Sequence, residues 1–102
     1  MAMMYTIEFS LEAEADLIWY SRREQNIILD GIKTNLRYEP TRVTLNRKPC
    51  RREPDRAADW ELRLGIYRIY YNVDESVQVV AIERIGDKSN NTIFFRGRRG
   101  GA

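Results

Sequence analysis

Residues 60–73 decide the fold, and they read Trp-Glu-Leu-Arg-Leu-Gly-Ile-Tyr-Arg-Ile-Tyr-Tyr-Asn-Val. Apolar and polar side chains alternate along this stretch, and Gly65-Ile66 divides it into two halves. Strict alternation is typical of half-buried antiparallel strands, because successive side chains of a strand point to opposite faces. Two such runs that meet at a glycine predict a β-hairpin. Its apolar face is predicted to comprise Trp60, Leu62, Leu64, Tyr67, Ile69, Tyr71 and Val73.

The opposite face of the predicted hairpin carries an acid, two guanidinium groups and a phenol. These belong to Glu61, Arg63, Arg68 and Tyr70. Such a set on a rigid platform suits the binding, and even the cleavage, of a phosphodiester. A solvated outer face produces the same alternation, and the pattern alone favours that second interpretation.

Composition indicates one small globular domain over residues 1–102, since 43% of the chain is apolar and 31% is charged. The formal net charge is only +2, but basic residues crowd residues 42–56 and the end of the chain. The chain has no histidine and one cysteine, Cys50, so neither an internal disulfide nor a structural zinc site is expected. We expect no cofactor, no secretory or membrane-spanning segment, and a cytoplasmic location.

The N-terminal third predicts a strand followed by a helix. Residues 4–9 are β-branched and aromatic, which favours a strand. Its core-facing side chains are predicted to be Tyr5, Ile7 and Phe9. Ser10 is a good N-cap, and the acids that follow it, up to Asp16, suit the positive end of a helix over residues 11–23. The apolar stripe of that helix is predicted to comprise Leu11, Ala15, Ile18 and Trp19.

A second helix is predicted over residues 25–38, because apolar side chains recur there at spacings of three and four. Those side chains are Ile28, Leu29, Ile32 and Leu36. Pro40 prevents the helix from continuing. The short break near Glu24 predicts an antiparallel αα-hairpin whose apolar stripe covers the sheet.

The rest of the chain predicts a loop, further strands and a tail. Residues 41–56 are rich in arginine, carry two prolines and show no sustained period, which predicts a long loop. Residues 77–85 predict a strand that ends or bulges at Gly86. A short apolar piece at residues 93–95 precedes residues 96–102, which we expect to form a flexible tail. The predicted fold is α+β, with an N-terminal strand, an αα-hairpin and a three- to four-stranded antiparallel sheet.

Several short motifs follow one another in order along the second half of the chain. They are Asn46-Arg47-Lys48-Pro49, Trp60-Glu61-Leu62-Arg63, Tyr67-Arg68-Ile69-Tyr70-Tyr71, a strand that closes at Gly86, and Lys88. Together with the order of the elements, this set resembles the RelE/ParE superfamily, the toxins of bacterial type II toxin–antitoxin systems. The resemblance covers residues 4–96.

The resemblance implies a RelE-like, microbial-ribonuclease-like fold and a cognate antitoxin protein as partner. In the ribonuclease branch it also implies metal-independent cleavage of messenger RNA in the ribosomal decoding site. In such a reaction a base prepares the 2′-hydroxyl, cations stabilise the phosphate, and an acid protonates the departing 5′ oxygen.

Position by position, the resemblance implies a phosphate-stabilising role for Arg68, a basic residue at Arg63 and a second cation at Lys88. Phe94 occupies the place of an aromatic residue that stacks on or orients the nucleotide. The loop cations expected to bind ribosomal RNA backbone are Arg47, Lys48, Arg51 and Arg52.

The chain departs from the archetypal nuclease on the first hairpin strand, where Asp59 and Glu61 replace lysines. Some relatives use a glutamate as base, so Glu61 is the candidate base, with Glu53 as an alternative from the loop. The leading hypothesis is a ribosome-dependent mRNA endoribonuclease toxin that inhibits translation and arrests growth. A ParE-like DNA gyrase inhibitor without nuclease activity is the alternative, and a degenerate toxin that retains only antitoxin binding is a third possibility.

Overall fold

A twisted β-sheet with two helices on one face forms the protein, whose computed structural model describes residues 3–101. The elements are β1 (Thr6–Phe9), α1 (Leu11–Trp19), α2 (Arg22–Leu36), β2 (Arg47–Pro49), β3 (Trp60–Leu64), β4 (Tyr67–Asp74), β5 (Val79–Ser89), β6 (Thr92–Phe95) and β7 (Arg98–Arg99). Strands β2 to β7 are neighbours in sequence order and pair antiparallel, while β1 pairs parallel with the first half of β5. The predicted α+β fold is confirmed, with more strands in the sheet than expected.

The predicted hairpin is confirmed as β3 and β4, joined at Gly65-Ile66 with Gly65 at a φ of +59°. Its apolar face packs under the helices in the main core, where Leu62, Ile69 and Tyr71 are fully buried. We call this helix-covered side of the sheet the inner face and the opposite side the outer face. The alternation of the sequence therefore separates the core from the remaining side chains as predicted.

Helix α2 forms the larger part of the helical layer, and its predicted stripe is confirmed at three of four positions, since Leu29 is only half-buried. Ile28, Ile32 and Leu36 are buried against the sheet. A Cβ at Gly31 would lie 2.3 Å from a methyl group of Leu64. The glycine therefore lets α2 approach β3 more closely than any other residue would.

Helix α1 is shorter than predicted and ends at Trp19, because Ser21 opens α2. The Ser21 hydroxyl accepts a hydrogen bond from the Glu24 amide at 3.2 Å, and the Glu24 carboxylate accepts one from the Ser21 amide at 3.4 Å. This reciprocal pair is a capping box. The αα-hairpin therefore turns at residues 20–21, a few residues before the predicted break.

The predicted apolar stripe of α1 is wrong. Its members are largely exposed, at 84% for Leu11, 74% for Ile18 and 53% for Trp19. Ala13 and Asp16 are fully buried instead, and Asp16 Oδ2 accepts a hydrogen bond from the Ile85 amide at 2.9 Å. That amide lies where β5 has left β1 and has not yet met β6. Asp16 therefore satisfies an open sheet edge and is not only a helix-start acid.

Three predicted boundaries also change. The loop at residues 41–56 contains β2, which pairs with β3. Strand β5 does not end at Gly86 but continues through it to Ser89. The Phe94 carbonyl and the Phe95 ring fill the place that a Cβ at residue 86 would need, which explains why this residue is a glycine. The predicted flexible tail instead turns back as β7 against β6, with Ala102 outside the described residues. Within residues 3–101, neither helix has the length and apolar content needed to cross a membrane.

Candidate functional site

Polar side chains on the outer face lie in two rows across the strands. Lys48, Glu61, Tyr70 and Arg84 are consecutive register partners on β2, β3, β4 and β5. The next row is formed by Arg63, Arg68 and Gly86. Because register partners on the same face have neighbouring side chains, these rows bring acid and cations from distant parts of the chain together.

Glu61 and Tyr70 form the centre of the first row. Both are nearly buried, at 8% and 3% exposure. Burial, and next the negative charge of Glu61, raise the pKa of the Tyr70 phenol far above its ordinary value. The Tyr70 hydroxyl therefore keeps its proton even at alkaline pH and is available as a hydrogen-bond donor. Lys48 Nζ lies 3.8 Å from Glu61 Oε1, at the exposed end of the row.

A cleft of about 220 Å³ opens over this centre, and we call it the Glu61 cleft. Its walls are formed by Arg56, Glu61, Tyr70, Lys88, Asn91, Thr92, Ile93, Arg99, Gly100 and Gly101. One carboxylate therefore faces three cationic side chains. Such a cleft can accept a proton from a bound hydroxyl and neutralise a bound anion. Within residues 3–101 no cluster of three His, Cys, Asp or Glu side chains could hold a metal ion.

Arg68 lies beside the Glu61 cleft and does not line it. Its Nη1 donates to the Gly65 carbonyl at 2.6 Å and to the Tyr67 carbonyl at 3.0 Å, and its Nε is buried without a partner. No carboxylate of the described residues lies within 4 Å of it, although Glu61 is close enough to raise its pKa. Burial is the larger effect, and with the charge of Arg63 it lowers the pKa of Arg68 below the ordinary value.

Arg63 is exposed and lies directly across the β3–β4 ladder from Arg68. Like charges at such paired positions repel each other. An anion bound between the two guanidinium groups would relieve that repulsion. The pair is therefore a second place on the outer face where a phosphate is favoured.

Two of the predicted RNA-binding residues have their guanidinium groups in contacts within the protein. Arg47 Nη1 donates to the carbonyl of Asn35 in the last turn of α2 and to that of Glu39 just beyond the helix, where a cation suits the helix dipole. Arg52 forms a two-pronged ion pair with Asp59, at 2.7 and 3.2 Å. Both guanidinium groups are therefore less available to RNA than the sequence predicted.

Three further predictions have mixed outcomes. Lys48 and Arg51 are exposed and remain available to a partner. Phe94 does not reach the outer face, because β6 alternates and it is Ile93 and Phe95 that pack with Tyr70. The alternative base Glu53 lies in a tight turn with Arg56 and does not line the cleft.

Arg56 and Arg99 were not predicted as site residues, and Tyr70 was named only as part of the polar face. The guanidinium of Arg56 lies 5.1 Å from the centre of the Tyr70 ring. Arg99 arrives through the return of β7, which no local period indicates. The alternation of apolar and polar residues over 60–73 was the only sequence signal for Tyr70, and it placed Tyr70 on the polar face together with Glu61.

A sheet with a helical hairpin on one face and a cationic cleft on the other defines an α+β protein with a candidate anion-binding site on its outer face. Toxin RelG of Mycobacterium tuberculosis strain H37Rv is 32% identical over 88 residues, which are 86% of this chain and 95% of the relative. No family model matches the chain. The chain belongs to the RelE family of toxins from toxin–antitoxin systems.

Solved structures agree with this family. In the toxin–antitoxin complex RelBE2 from M. tuberculosis, a chain of 31% identity superposes with a TM-score of 0.72, covering 86% of this chain and 95% of that one. A chain of the archaeal RelE–RelB complex from Pyrococcus horikoshii OT3 has 21% identity and a TM-score of 0.67, with coverages of 86% and 99%. At that identity the archaeal likeness supports the fold alone.

Proposed function

We propose that the protein is a metal-independent, ribosome-dependent mRNA endoribonuclease, and that a cognate antitoxin neutralises it in the cytoplasm. The observation that carries the proposal is the cleft in which Glu61, Tyr70 and Lys88 meet. Membership of the RelE family supports the same reading. The cleft offers a carboxylate, a protonated phenol and an ammonium group, which are the groups that cleavage beside a 2′-hydroxyl requires.

In the proposed reaction Glu61 accepts the proton of the 2′-hydroxyl. The 2′ oxygen then forms a bond to phosphorus, the bond from phosphorus to the 5′ oxygen breaks, and that departing oxygen takes a proton from water. Lys88 stabilises the extra charge on the phosphate from within the cleft, Arg68 adds its positive charge from the neighbouring row, and the Tyr70 hydroxyl donates a hydrogen bond. The products are a 2′,3′-cyclic phosphate and a 5′-hydroxyl.

The ribosome and the antitoxin have complementary roles in this proposal. Three exposed cations on β2, on β3 and in the loop between them, Lys48, Arg63 and Arg51, suit contacts with the ribosomal RNA backbone. The M. tuberculosis relative is seen in a toxin–antitoxin complex. An antitoxin with acidic side chains would neutralise the same cations and close the outer face.

The proposal is tested by inducing wild type, Glu61→Gln and Glu14→Gln in bacterial cells and mapping mRNA ends by primer extension. Glu61→Gln keeps the shape of the side chain and removes the base, so cleavage should fall about 10²- to 10⁴-fold. Glu14→Gln makes the same chemical change on the exposed surface of α1 and should cleave like wild type.

A gyrase supercoiling assay on the same cells distinguishes the alternative. Cuts within codons that depend on translation support the proposal. Intact transcripts with lost supercoiling would identify a gyrase inhibitor, and harmless expression of the wild type would identify a degenerate toxin. Either of these two results overturns the proposed nuclease activity.

A further inference from the structure

A second cleft, of about 510 Å³, lies where the chain turns back after Phe95. We call it the arginine cleft. Its walls are formed by Asp55, Arg84, Phe95, Arg96, Arg98, Arg99 and Gly100. Four arginines therefore face one aspartate, which makes this the kind of surface that attracts a polyanion.

The cleft is built by an ordered hairpin. Arg96 and Gly97 have φ angles of +51° and +72°, which is the pattern of the tight turns that join twisted strands. After this turn the Gly100 amide donates to the Ile93 carbonyl, and the Gly101 amide donates to Asp55 Oδ2, each at 2.8 Å. The arginines of β7 are thus fixed by the turn before them and by the two backbone hydrogen bonds after them.

Gly100 is required for this arrangement. A Cβ there would lie 2.7 Å from Ile93 Cγ2 and 3.1 Å from Asp55 Oδ2. The chain therefore passes close against both the sheet and the loop. A hairpin packed in this way presents its side chains from a fixed base, which favours binding with less loss of conformational entropy.

The four arginines fall into two groups. Arg84 and Arg96 are bound to the buried carboxylate of Asp16, at 2.8 and 3.1 Å, and these contacts tie α1 to the cleft. Arg98 and Arg99 are exposed, and no carboxylate of residues 3–101 lies within 4 Å of either. The first pair forms the wall, and the second pair is available to a ligand.

Arg99 and Gly100 line both the arginine cleft and the Glu61 cleft, so the two clefts adjoin. We infer that Arg98 and Arg99 hold phosphates of the RNA strand on one side of the position that enters the Glu61 cleft. This inference rests on the proposed nuclease function and assigns the path of its substrate. Arginine suits this role because its planar guanidinium can bind a phosphate through two hydrogen bonds.

A ligand that continues from one cleft into the other passes the Glu61 carboxylate. An RNA strand can place a neutral ribose with its hydroxyl there and its phosphates at the arginines. An acidic peptide would bring further carboxylates against Glu61, which is unfavourable. The neighbouring charges therefore favour RNA over an acidic protein segment.

The test measures binding of a fluorescent 2′-O-methyl RNA oligonucleotide, which cannot be cleaved, across a series of salt concentrations. The variant Arg98→Gln/Arg99→Gln should bind more weakly, with a salt slope smaller by about 1.4, because each single-strand phosphate contact contributes about 0.7. Arg98→Lys/Arg99→Lys should keep most of the slope. Lys33→Gln/Arg37→Gln, at the C-terminal end of α2 and its C-cap behind the sheet, removes the same charge and should bind like wild type.

Equal weakening by Arg98→Gln/Arg99→Gln and Lys33→Gln/Arg37→Gln would overturn the inference, because net charge alone would then explain binding. The inference would also be overturned if Arg98→Gln/Arg99→Gln bound the RNA oligonucleotide with the affinity and salt slope of the wild type. The inference would also fail if Arg98→Gln/Arg99→Gln lost binding to a fluorescent oligoglutamate but still bound the RNA oligonucleotide. That result would identify an acidic protein segment as the ligand. Because the oligonucleotide is not cleaved, these results are independent of the Glu61→Gln experiment, and each proposal can fail while the other stands.

Discussion

The inner and outer faces of the β3–β4 hairpin are made from alternate residues of the same two strands. They differ in whether their buried polar groups have hydrogen-bond partners. On the inner face of the hairpin the hydroxyl groups of both tyrosines have a partner. Tyr71 donates to the Pro40 carbonyl at 2.6 Å, and Tyr67 donates to Glu24 at 2.8 Å. On the outer face Arg68 keeps a buried Nε without a partner and lies across from Arg63.

This difference in hydrogen bonding and charge indicates that the inner face is optimised for stability and that the outer face is not. Buried polar groups without partners and adjacent like charges both destabilise a fold. Such local conflicts are expected at functional sites, where a ligand completes the missing contacts. The inner face should therefore control stability, and the outer face should control activity with little effect on stability.

The largest expected effect comes from the inner face. Ile69→Ala removes a fully buried side chain from the main core and should lower the free energy of unfolding by about 2–5 kcal/mol. Urea unfolding followed by circular dichroism measures this change. The exposed outer-face variant Arg63→Ala should change the same quantity by less than about 0.5 kcal/mol. Equal losses in the two variants would remove the distinction between the faces.

The next effect is on activity. Arg68→Ala should reduce cleavage about 30- to 1,000-fold, since one group that stabilises the phosphate contributes about 2–4 kcal/mol in the transition state. Growth arrest and primer extension measure the loss. Because Arg68 also holds the turn at Gly65, thermal unfolding of Arg68→Ala and Arg68→Lys is measured in parallel. A folded and fully toxic alanine variant would show that Arg68 has no catalytic role.

A smaller effect is expected for the phenol. Tyr70→Phe keeps the ring, whose centre lies 5.9 Å from that of Phe95, so stability should change by less than about 1 kcal/mol. Cleavage should fall about tenfold, as expected for one lost hydrogen bond to a charged group. Single-turnover cleavage on programmed ribosomes measures this change. A stability loss as large as that of Ile69→Ala would assign Tyr70 to the core alone.

The smallest effect is a pH dependence of the inner face. The hydrogen bond from Tyr67, followed by that from Ser21, lowers the pKa of Glu24 below its ordinary value of 4.5. A carboxylate with a lowered folded-state pKa adds stability that is complete above the unfolded-state value and disappears as the pH falls through the folded-state value. Glu24→Gln should therefore flatten the decline of stability below about pH 5. Parallel stability curves for the two proteins would contradict this assignment.

Local pattern was sufficient for much of the molecule. The period of two placed Leu62 and Ile69 in the core, and the spacing of three and four placed Ile28 and Ile32 against the sheet. It also put Glu61 and Tyr70 on one face. These predictions succeed because the direction of a side chain within one element depends only on backbone geometry.

Contacts between distant elements decided the rest. Asp16 could not be read as a buried anchor, because the amide that it satisfies belongs to β5, 69 residues away. The direction of the Phe94 side chain could not be predicted, because the start of β6 sets which side chains point outward.

The position of Arg98 and Arg99 on β7 also depends on contacts between elements. A Gly/Arg run predicts a tail on its own, and only the turn at Arg96-Gly97 and the pairing with β6 bring Arg99 beside Glu61. Alternation therefore decides which residues share a face, since it is local. Strand pairing decides which faces and ends meet, since that energy exists only when the whole sheet is assembled.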